Sequence, residues 1–370
     1  MKQLRIAIIG TRGYPYVYSG YETFVSELVP RLVKRGHQVT VYCHRGLFDS
    51  YPKIVNGVRL RYLPSVKSKT LSQLTNSFLS TLDALFRTYD VILYVNPANG
   101  PFGVLTRLFR KKTVMNVDGL EWLRPKWKGL GATYYYWAAR SATKLFDRLV
   151  TDSERMGEIY QKEFGASSVY IAYGEVLSKS QKPELLNVHQ LSRGEYYLIV
   201  GRLIPDNNAS LIMEGFCQSH SQRKLVIVGD VPYRDAYANS LKKTKDKRII
   251  FTGYVRDAEL LSELYCNSYA YIHGHEYGGT NPTLLKALAS GCCVLALDTV
   301  FNREVLNEDD HGIFFPKDPR EIAQLIDRAD HDESVVELFR LKARKRITER
   351  YTWEAITDQY EKLFNELVAE

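Results

Sequence analysis

Residues 271–291, YIHGHEYGGTNPTLLKALASG, decide the fold of this chain, because they join the end of a strand, a glycine-rich turn and the start of a helix. The apolar run ends near His273, and the turn at residues 278–281 leads into leucines at helical spacing. A threonine or asparagine in that turn can cap the helix, and Pro282 suits a first turn that needs no N–H donor. This order of strand, turn and helix predicts one βα unit of a parallel sheet.

The same turn also predicts an anion site. Two consecutive glycines allow the backbone to approach a ligand closely. The first turn of a helix offers free N–H groups and the positive end of the helix dipole, which favour a phosphate or a diphosphate. The alternative is an ordinary strand–helix turn that binds nothing.

The length and composition indicate a soluble protein of two domains. The chain has 370 residues, more than one ordinary core accommodates. We expect no membrane span and no signal peptide, and five cysteines without metal-ligand spacing indicate free thiols in a reducing compartment, so a cytoplasmic location is expected. The net charge of +8 favours anionic partners, but the basic residues are dispersed and no nucleic-acid motif is present.

Strand and helix patterns alternate along both halves of the chain, and a polar stretch at residues 178–194 separates the halves. Near-continuous apolar strands between helices predict parallel sheets covered on both faces. The fold class is therefore α/β, with two doubly wound Rossmann-like domains whose strand-end loops face each other across a cleft. The predicted strands are residues 4–10, 39–43, 58–63, 91–96, 113–117, 148–151 and 169–172, then 196–200, 224–228, 248–252, 270–273, 293–297 and 313–315.

The loop at residues 118–122, DGLEW, follows a predicted strand and suits a sugar. It places Asp118, Glu121 and Trp122 at the end of the fifth strand. Carboxylates accept paired hydrogen bonds from sugar hydroxyls, and an indole face packs on C–H surfaces. The alternative is an aspartate that caps a short helix.

Two other strand-end loops suit a phosphate. In residues 201–208, GRLIPDNN, the Arg202 guanidinium could hold a diphosphate with two parallel hydrogen bonds, or it could be an ordinary surface arginine. The loop after the first strand is glycine-rich but lacks the G-x-G-x-x-G spacing of dinucleotide sites. It could close over a phosphate or an acceptor, or it could be a long β–α connection; its candidate residues are Gly13, Gly20 and Glu22.

Basic and aromatic residues are interleaved between residues 107 and 144. This mixture suits a membrane surface that carries anionic lipid, although an amphipathic helix that packs its aromatic residues on its own sheet would look the same. The one D-x-D sequence, residues 330–332, lies between two helical patterns and predicts a helix cap. We therefore expect no metal site and no cofactor.

Several motifs together resemble a known family. The order GTRGYP…SGYET, HQVTVY, VGRLxP, GGTNPTLLxALASG and YTWE…YExL resembles retaining glycosyltransferases of family 4, which have the GT-B architecture. Residues 118–127, DGLEWLRPKW, resemble the branch that includes bacterial rhamnosyltransferases of surface polysaccharide synthesis. The resemblance covers essentially the whole chain.

The resemblance implies a division of labour along the chain. Residues 1–177 would form the acceptor-side domain, residues 190–345 would bind the nucleotide sugar, and residues 346–370 would contain a final helix that packs back on the first domain. It implies retention at the anomeric carbon, no metal and no cofactor. The diphosphate-binding arginine of the family falls on Arg202.

The sequence departs from the family pattern at three positions. The family's diphosphate lysine falls on Asn207, and its pair of glutamates falls on Gly278 and Lys286. The second glutamate usually contacts the nucleotide ribose. We hypothesise that Lys286 takes over part of the diphosphate neutralisation lost at Asn207.

The resulting prediction is a glycosyltransferase that moves a sugar, with L-rhamnose from dTDP-rhamnose as one such donor, to a hydroxyl of a glycan or lipid-linked glycan at the inner face of the cell membrane. The alternatives are a degenerate binding subunit and a GT-B sugar-nucleotide epimerase. The predicted catalytic residues are Arg202, Asp118 and Glu121. The predicted substrate-binding residues are Gly13, Gly20, Glu22, Trp122, Asn207, Gly278, Gly279, Thr280, Asn281 and Lys286.

Overall fold

The computed structural model describes residues 3–15, 20–66, 68, 71–124, 127, 129–231 and 235–370. The chain forms two compact units. Unit 1 comprises Met1–Tyr173 together with Trp353–Glu370, and unit 2 comprises Gly174–Thr352. The sequence analysis predicted that the first domain ends at residue 177 and the second at residue 345, whereas the units change after Tyr173 and after Thr352.

Unit 1 contains a sheet in the order β3-β4-β2-β1-β5-β6-β7-β8. Its strands are β1 (Arg5–Ile9), β2 (Gln38–His44), β3 (Ile54–Val55), β4 (Val58–Leu63), β5 (Val91–Val95), β6 (Thr113–Val117), β7 (Arg148–Thr151) and β8 (Val169–Tyr170). All pairings are parallel except that of β3, which runs antiparallel to β4 at the sheet edge. The sequence did not predict β3, because a strand of two residues leaves no periodic pattern.

Unit 2 contains a parallel sheet in the order β11-β10-β9-β12-β13-β14. Its strands are β9 (Tyr196–Val200), β10 (Lys224–Val228), β11 (Ile249–Gly253), β12 (Ala270–His273), β13 (Cys293–Leu297) and β14 (Ile313–Phe315). Every predicted strand is present, with ends that differ by at most two residues. The prediction of two α/β domains built on parallel sheets is confirmed.

Helices connect the strands and cover the sheets. They are α1 (Gly20–Lys34), α2 (Leu71–Leu85), α3 (Gly103–Leu108), α4 (Leu130–Leu145), α5 (Glu154–Phe164), α6 (Ala209–Gln218), α7 (Ala236–Leu241), α8 (Ala258–Cys266), α9 (Pro282–Ser290), α10 (Val300–Leu306), α11 (Pro319–His331), α12 (Glu333–Arg350) and α13 (Trp353–Ala369). Over the described residues, none of them combines the length and the apolar character that a bilayer span requires.

The last helix, α13, packs on α1 although more than three hundred residues separate them in sequence. The Phe24 ring lies 5.3 Å from that of Tyr360 and 6.4 Å from that of Trp353. Glu361 accepts a hydrogen bond from Arg35 at 2.8 Å. Buried aromatic contacts and a partly buried ion pair together fix this helix on unit 1.

In unit 2, β9 lies between β10 and β12, so the strand order reverses at this point. The connection after β9 leads to β10 on one side and the connection after β12 leads to β13 on the other, an arrangement in which open α/β sheets form a ligand crevice at the carboxyl ends of the strands. The loops after β9 and β12 therefore line the position where open α/β sheets bind ligands.

Candidate functional site

The loop after β9 approaches the loop after β12 closely. A Cβ atom on Gly201 would lie 3.0 Å from His275 Cε1, so a side chain there would press on the His275 ring. The Asn207 amide donates to the Arg202 carbonyl oxygen at 2.8 Å and closes the β9 loop on itself. The Arg202 side chain is half-buried, and no ion pair or hydrogen bond joins its guanidinium to any part of the chain that the structure describes. This arginine is available for an anion.

Glu276 ties the two loops together. Its backbone N–H donates to the Asp206 carbonyl oxygen at 3.1 Å, and its carboxylate accepts from Lys317 at 2.6 Å and from Asn208 at 3.3 Å. Burial raises the pKa of Glu276, but the Lys317 ammonium and the Asn208 amide outweigh burial and hold the pKa below its usual value. The carboxylate is therefore ionised and engaged within the protein.

The turn before α9 has the predicted cap, but the N–H groups of the first helical turn, which were expected to be free for an anion, are bonded within the turn. Asn281 caps the helix, and its side chain accepts from the Thr283 N–H at 3.0 Å, as one of the two predicted caps. The Leu284 N–H donates to the Asn281 carbonyl oxygen at 3.1 Å, so the first helical amides are satisfied locally. Within the described residues, the N–H groups of Gly278 and Gly279 donate to no other group. The donors open to an anion thus belong to the loop.

β12 ends in two stacked imidazole rings that the sequence motifs did not point to. The His273 and His275 rings lie 4.6 Å apart at an angle of 16°. His273 is fully buried, its Nδ1 lies 3.2 Å from the Tyr271 hydroxyl, and its Nε2 has no partner among the described residues. Burial lowers the pKa of His273 to about 3, so this ring is neutral. In the sequence, only the position of His273 and His275 at the end of a predicted strand indicated that they could belong to a site.

Lys286 contacts the segment that opens unit 2. Its Nζ lies 3.6 Å from Glu175 Oε1 and 3.0 Å from Ser178 Oγ. Lys286 is half-buried, so the opposite charge of Glu175 offsets its own at short range. Its expected role toward a diphosphate stays a prediction, and Glu175 would compete for the same ammonium group.

In unit 1, Asp118 follows β6 and lies among tyrosines. The Tyr173 hydroxyl donates to Asp118 Oδ2 at 3.0 Å. Burial raises the pKa of Asp118 to about 6, and the nearby Glu121 charge acts in the same direction, whereas Tyr21 and Tyr173 act against it. A half-buried carboxyl group of this kind can accept from, or donate to, a sugar hydroxyl near neutral pH.

The other two residues of the DGLEW loop are engaged within the protein. Glu121 accepts from Trp127 Nε1 at 2.8 Å and forms an ion pair with Arg124 at 2.8 Å. Trp122 packs edge-on against three aromatic rings, those of Tyr136, Tyr160 and Phe164. Both residues therefore shape the loop around Asp118, and their proposed contacts with a sugar remain predictions.

The loop after β1 is held in place by contacts with buried residues of unit 1. Glu22 is buried and accepts from the Arg12 N–H at 3.0 Å. Gly13 has φ 131°, and a Cβ there would meet Cys43 Sγ at 2.8 Å. These contacts give both residues a structural role in the loop, beside the substrate contacts that the sequence predicted. Gly20 is the first residue of α1, whereas residues 16–19 lie outside the described part of the chain.

His44, at the end of β2, is a further polar residue beside this loop. Its N–H donates to the Arg12 carbonyl oxygen at 3.0 Å, and its Nε2 has no partner among the described residues. Burial, together with the Arg12 charge, lowers the pKa of His44 to about 4. The neutral ring offers one more hydrogen-bonding group at the carboxyl edge of the unit 1 sheet.

In the structure, strand β6 divides the segment of interleaved basic and aromatic residues, 107–144, into two parts. Residues 107–112, which include Phe109, precede β6, whereas the other aromatic residues lie after β6 together with Arg124, Arg140 and Lys144. Several of these rings pack on one another: Trp127 lies 4.8 Å from Tyr135, and Tyr134 lies 6.1 Å from Trp137. These rings contact one another, but Trp137 is 53% exposed, so the membrane interpretation of this segment stays a prediction.

The D-x-D sequence serves a helix cap, as predicted. Asp332 caps α12 by accepting from the Ser334 N–H at 3.1 Å. Asp330 accepts hydrogen bonds from Arg223 at 2.8 Å and from Tyr197 at 2.7 Å. Among the residues that the structure describes, no group of three His, Cys, Asp or Glu side chains is placed to hold a metal ion.

Comparison with protein families gives matches over most of the chain. A family model described as Glycosyltransferase Family 4 matches residues 18–173, and one described as Glycosyl transferases group 1 matches residues 181–351. The chain belongs to the GT-B glycosyltransferases. This glycosyltransferase is also 28% identical over 168 residues to the uncharacterized glycosyltransferase MJ1607 of Methanocaldococcus jannaschii. That match covers 44% of this chain and 42% of MJ1607, less than half of the relative's length.

Solved structures share the fold of this glycosyltransferase over nearly its full length. Sucrose-phosphate synthase (tll1590) from Thermosynechococcus elongatus matches with a TM-score of 0.84 at 17% identity, covering 99% of this chain and 100% of that one. HepE (Alr3699) from Anabaena in complex with UDP matches with a TM-score of 0.77 at 16% identity, covering 99% and 100%. HepE in complex with UDP-glucose matches with a TM-score of 0.78 at 15% identity, covering 98% and 100%.

Proposed function

We propose that this glycosyltransferase moves a sugar from a nucleoside diphosphate to a hydroxyl of a glycan or lipid-linked glycan, with retention at the anomeric carbon and without a metal ion. One observation carries the proposal. The half-buried Arg202 has no acidic partner in the described part of unit 2, and it follows the strand next to β12, whose loop offers the amides of Gly278 and Gly279. Two loops at one switch point thus provide a cation and N–H donors suited to a diphosphate.

The solved relatives support a nucleotide-sugar donor. HepE has been crystallised with UDP and with UDP-glucose. We propose that a nucleoside diphosphate occupies the corresponding strand-end loops of unit 2. The DGLEW segment of unit 1 suggests dTDP-L-rhamnose as the first donor to test, because its residues resemble the rhamnosyltransferase branch.

The chemistry follows from where charge develops. When the bond between the anomeric carbon and the diphosphate oxygen breaks, negative charge accumulates on the departing phosphate. Arg202 and the loop amides would stabilise that charge, and preorganised donors of this kind contribute roughly 3–4 kcal/mol each. The acceptor hydroxyl then attacks from the same face and passes its proton to the departing phosphate oxygen.

Asp118 would orient the sugar in this reaction. Its carboxyl group already accepts a hydrogen bond from Tyr173, and a second bond from a sugar hydroxyl would use its remaining lone pairs. Glu121, held by Arg124, keeps negative charge near Asp118 and so contributes to its raised pKa. Glu121 would therefore act by positioning the loop and by tuning the neighbouring carboxyl group.

The contacts of Asn207 and Lys286 support a second candidate function, that of a binding subunit without turnover. Asn207 donates its amide to the protein's own backbone, and Lys286 lies beside Glu175, so neither needs a ligand to be satisfied. These contacts favour a binding subunit without turnover. An epimerase with the same fold would convert a nucleotide sugar without any acceptor.

A thermal-shift screen followed by product analysis separates the three functions. The purified chain is heated with nucleoside diphosphates and their sugars, including UDP, dTDP, UDP-glucose and dTDP-rhamnose. A ligand present at a hundred times its dissociation constant adds about 2.7 kcal/mol of stability. The stabilising sugar nucleotide is then incubated with and without glycan acceptors. Release of the nucleoside diphosphate together with an elongated glycan supports transfer, whereas conversion without acceptor indicates an epimerase, and binding without conversion indicates a binding subunit.

A further inference from the structure

Three apolar side chains are exposed at the end of unit 1 where β5 and β6 begin. The exposed fraction is 80% for Phe86, 73% for Leu108 and 48% for Phe109. The rings of Phe86 and Phe109 lie 5.8 Å apart, so they form one cluster rather than scattered residues. Lys111 Nζ donates to the Arg87 carbonyl oxygen at 2.7 Å and ties the two loops together. We call Phe86, Leu108 and Phe109 the apolar tip.

A basic cavity of about 420 Å³ adjoins the apolar tip on the side of α4. The charged residues that line it are Arg107, Arg110, Lys111, Lys112 and Asp147. Asp147 accepts from the Thr113 N–H at 2.7 Å and from its hydroxyl at 2.9 Å. Among the described residues, the side chains of Arg110 and Lys112 form no ion pair or hydrogen bond. Their charges are open to an anion.

A second basic cavity, of about 700 Å³, lies on the other side of the tip. Its cations are Arg5, Arg45, Lys53, Arg59, Arg61 and Arg87. Asp83 pairs with Arg61 at 2.7 Å and with Arg87 at 2.6 Å, and Asp90 pairs with Arg5 at 2.9 Å. Positive charge therefore remains in excess, and within the described chain no ion pair engages Lys53 or Arg59.

We propose that this end of unit 1 docks on an anionic membrane. The docking surface consists of the apolar tip and the two basic cavities that flank it. A small exposed cluster of Phe and Leu enters the headgroup and acyl boundary of a bilayer, while surrounding Lys and Arg attract anionic lipid. The two cavities would receive the phosphate groups of lipid headgroups, because guanidinium pairs bind phosphate with fixed geometry. The inference goes beyond the proposed transfer reaction, since it does not depend on the donor or the acceptor.

The apolar tip and the first cavity are separate from the candidate catalytic edge of unit 1, whereas the second cavity extends along the sheet to Arg45, next to His44. Lys112 precedes β6 and Asp118 follows it, so one strand of five residues, about 17 Å long, lies between them. The docking surface shares residues 107–112 with the segment that the sequence suggested, but it leaves out the aromatic residues of α4 and adds Phe86 and the second cavity. Changes at the apolar tip and in the first cavity should therefore leave transfer to a water-soluble acceptor unaltered.

Vesicle sedimentation tests the proposal directly. The probes are vesicles of phosphatidylcholine alone or mixed with phosphatidylglycerol, at low and at high salt. The wild-type chain should sediment with the anionic vesicles at low salt and be released as salt screens the surface. The charge variant Arg110→Gln/Lys112→Gln should lower partitioning about 25-fold, which is about fivefold per cation removed. The tip variant Phe86→Ser/Leu108→Ser/Phe109→Ser should lower it at least tenfold.

Matched controls come from exposed residues elsewhere. Leu341→Ser removes an apolar side chain that is 79% exposed in unit 2, and Lys243→Gln/Lys247→Gln removes two exposed cations there. Both controls should bind vesicles as the wild type does. The proposal is overturned if the wild type does not distinguish anionic from neutral vesicles, or if the tip and charge variants bind equally to it. A loss of binding in Leu130→Ser/Trp137→Ser alone would overturn it in favour of the aromatic end of α4. None of these outcomes requires transfer activity, so a failure here leaves the proposed function standing.

Discussion

At the scale of single residues, ionisation of the Asp118 carboxyl group lowers the stability of the folded chain. Burial raises its pKa from 3.8 to about 6, so the folded chain binds the proton more tightly than the unfolded chain. Such a group lowers the free energy of unfolding as the pH rises from about 4 to about 6, and above pH 6 the full cost is present. Carboxyl groups with strongly raised pKa values are concentrated at functional sites, which supports a functional role for Asp118.

The first prediction concerns Asp118→Asn. Relative to the wild type, this variant should gain roughly 3 kcal/mol of stability at pH 8 and little at pH 4, because it removes a carboxylate that is unfavourable only when ionised. Turnover should fall at least tenfold, and any change of rate near pH 6 should disappear. Denaturant unfolding at the two pH values and a pH–rate profile measure both effects. A variant that is less stable at pH 8 and fully active would show that Asp118 is structural.

The second prediction concerns Lys286 and its partner Glu175. If Lys286 contributes to diphosphate binding, Lys286→Ala should weaken the affinity for the donor about fivefold, since one charge near a surface is worth about 1 kcal/mol. Glu175→Gln is the matched control, because it removes the competing carboxylate and should strengthen donor binding. Calorimetric titration compares the three proteins. Unchanged affinity in both variants would leave Lys286 as a contact within unit 2 alone.

At the same scale, the sequence predicted some residues and missed others for physical reasons. Asn281 was found because a cap residue, a proline and a helical spacing stand next to one another in the chain. The contact of Lys286 with Glu175 joins positions far apart in sequence, and no local pattern records it. His273 was missed because an apolar strand hides a buried histidine whose neutral state depends on the finished packing.

At the scale of elements, the strands were the most predictable part. Parallel strands are buried on both faces, so they read as continuous apolar runs, as in YYLIV of β9. β3 escaped because it is two residues long and lies at an edge. The segment at residues 107–144 was interpreted as one surface, but β6 runs through it, so residues 107–112 lie at the amino end of this strand and the DGLEW loop follows its carboxyl end.

The third prediction separates the two roles of Asn281 at the start of α9. Asn281→Ala removes the cap and should cost about 1 kcal/mol of stability, whereas Asn281→Asp retains a side-chain acceptor and should cost little. The aspartate adds negative charge beside the Gly278 and Gly279 amides, so it should still weaken diphosphate binding. Thermal unfolding and titration with the donor nucleotide measure the two effects. Equal donor affinity in the wild type and in Asn281→Asp would place the diphosphate away from this turn.

At the scale of the whole molecule, each unit presents its polar candidates at the carboxyl ends of its strands. Asp118 and His44 occupy that edge in unit 1, and Arg202 and the stacked histidines occupy it in unit 2. The order of strands and helices was enough to predict this placement, because ligands in open α/β sheets bind at that edge. The identity of the sugar was not predictable, since it depends on a few side chains whose positions are set by loops.

The most direct test of the account is a calorimetric titration of the intact chain with the nucleoside diphosphate selected by the thermal-shift screen. The titration is carried out in EDTA, with the wild type, with Arg202→Ala and with the exposed control Arg193→Ala. The account predicts undiminished binding to the wild type and to the control in EDTA, and at least a tenfold loss in Arg202→Ala at an unchanged melting temperature. Binding that requires a divalent cation, or equal binding by Arg202→Ala, would contradict it.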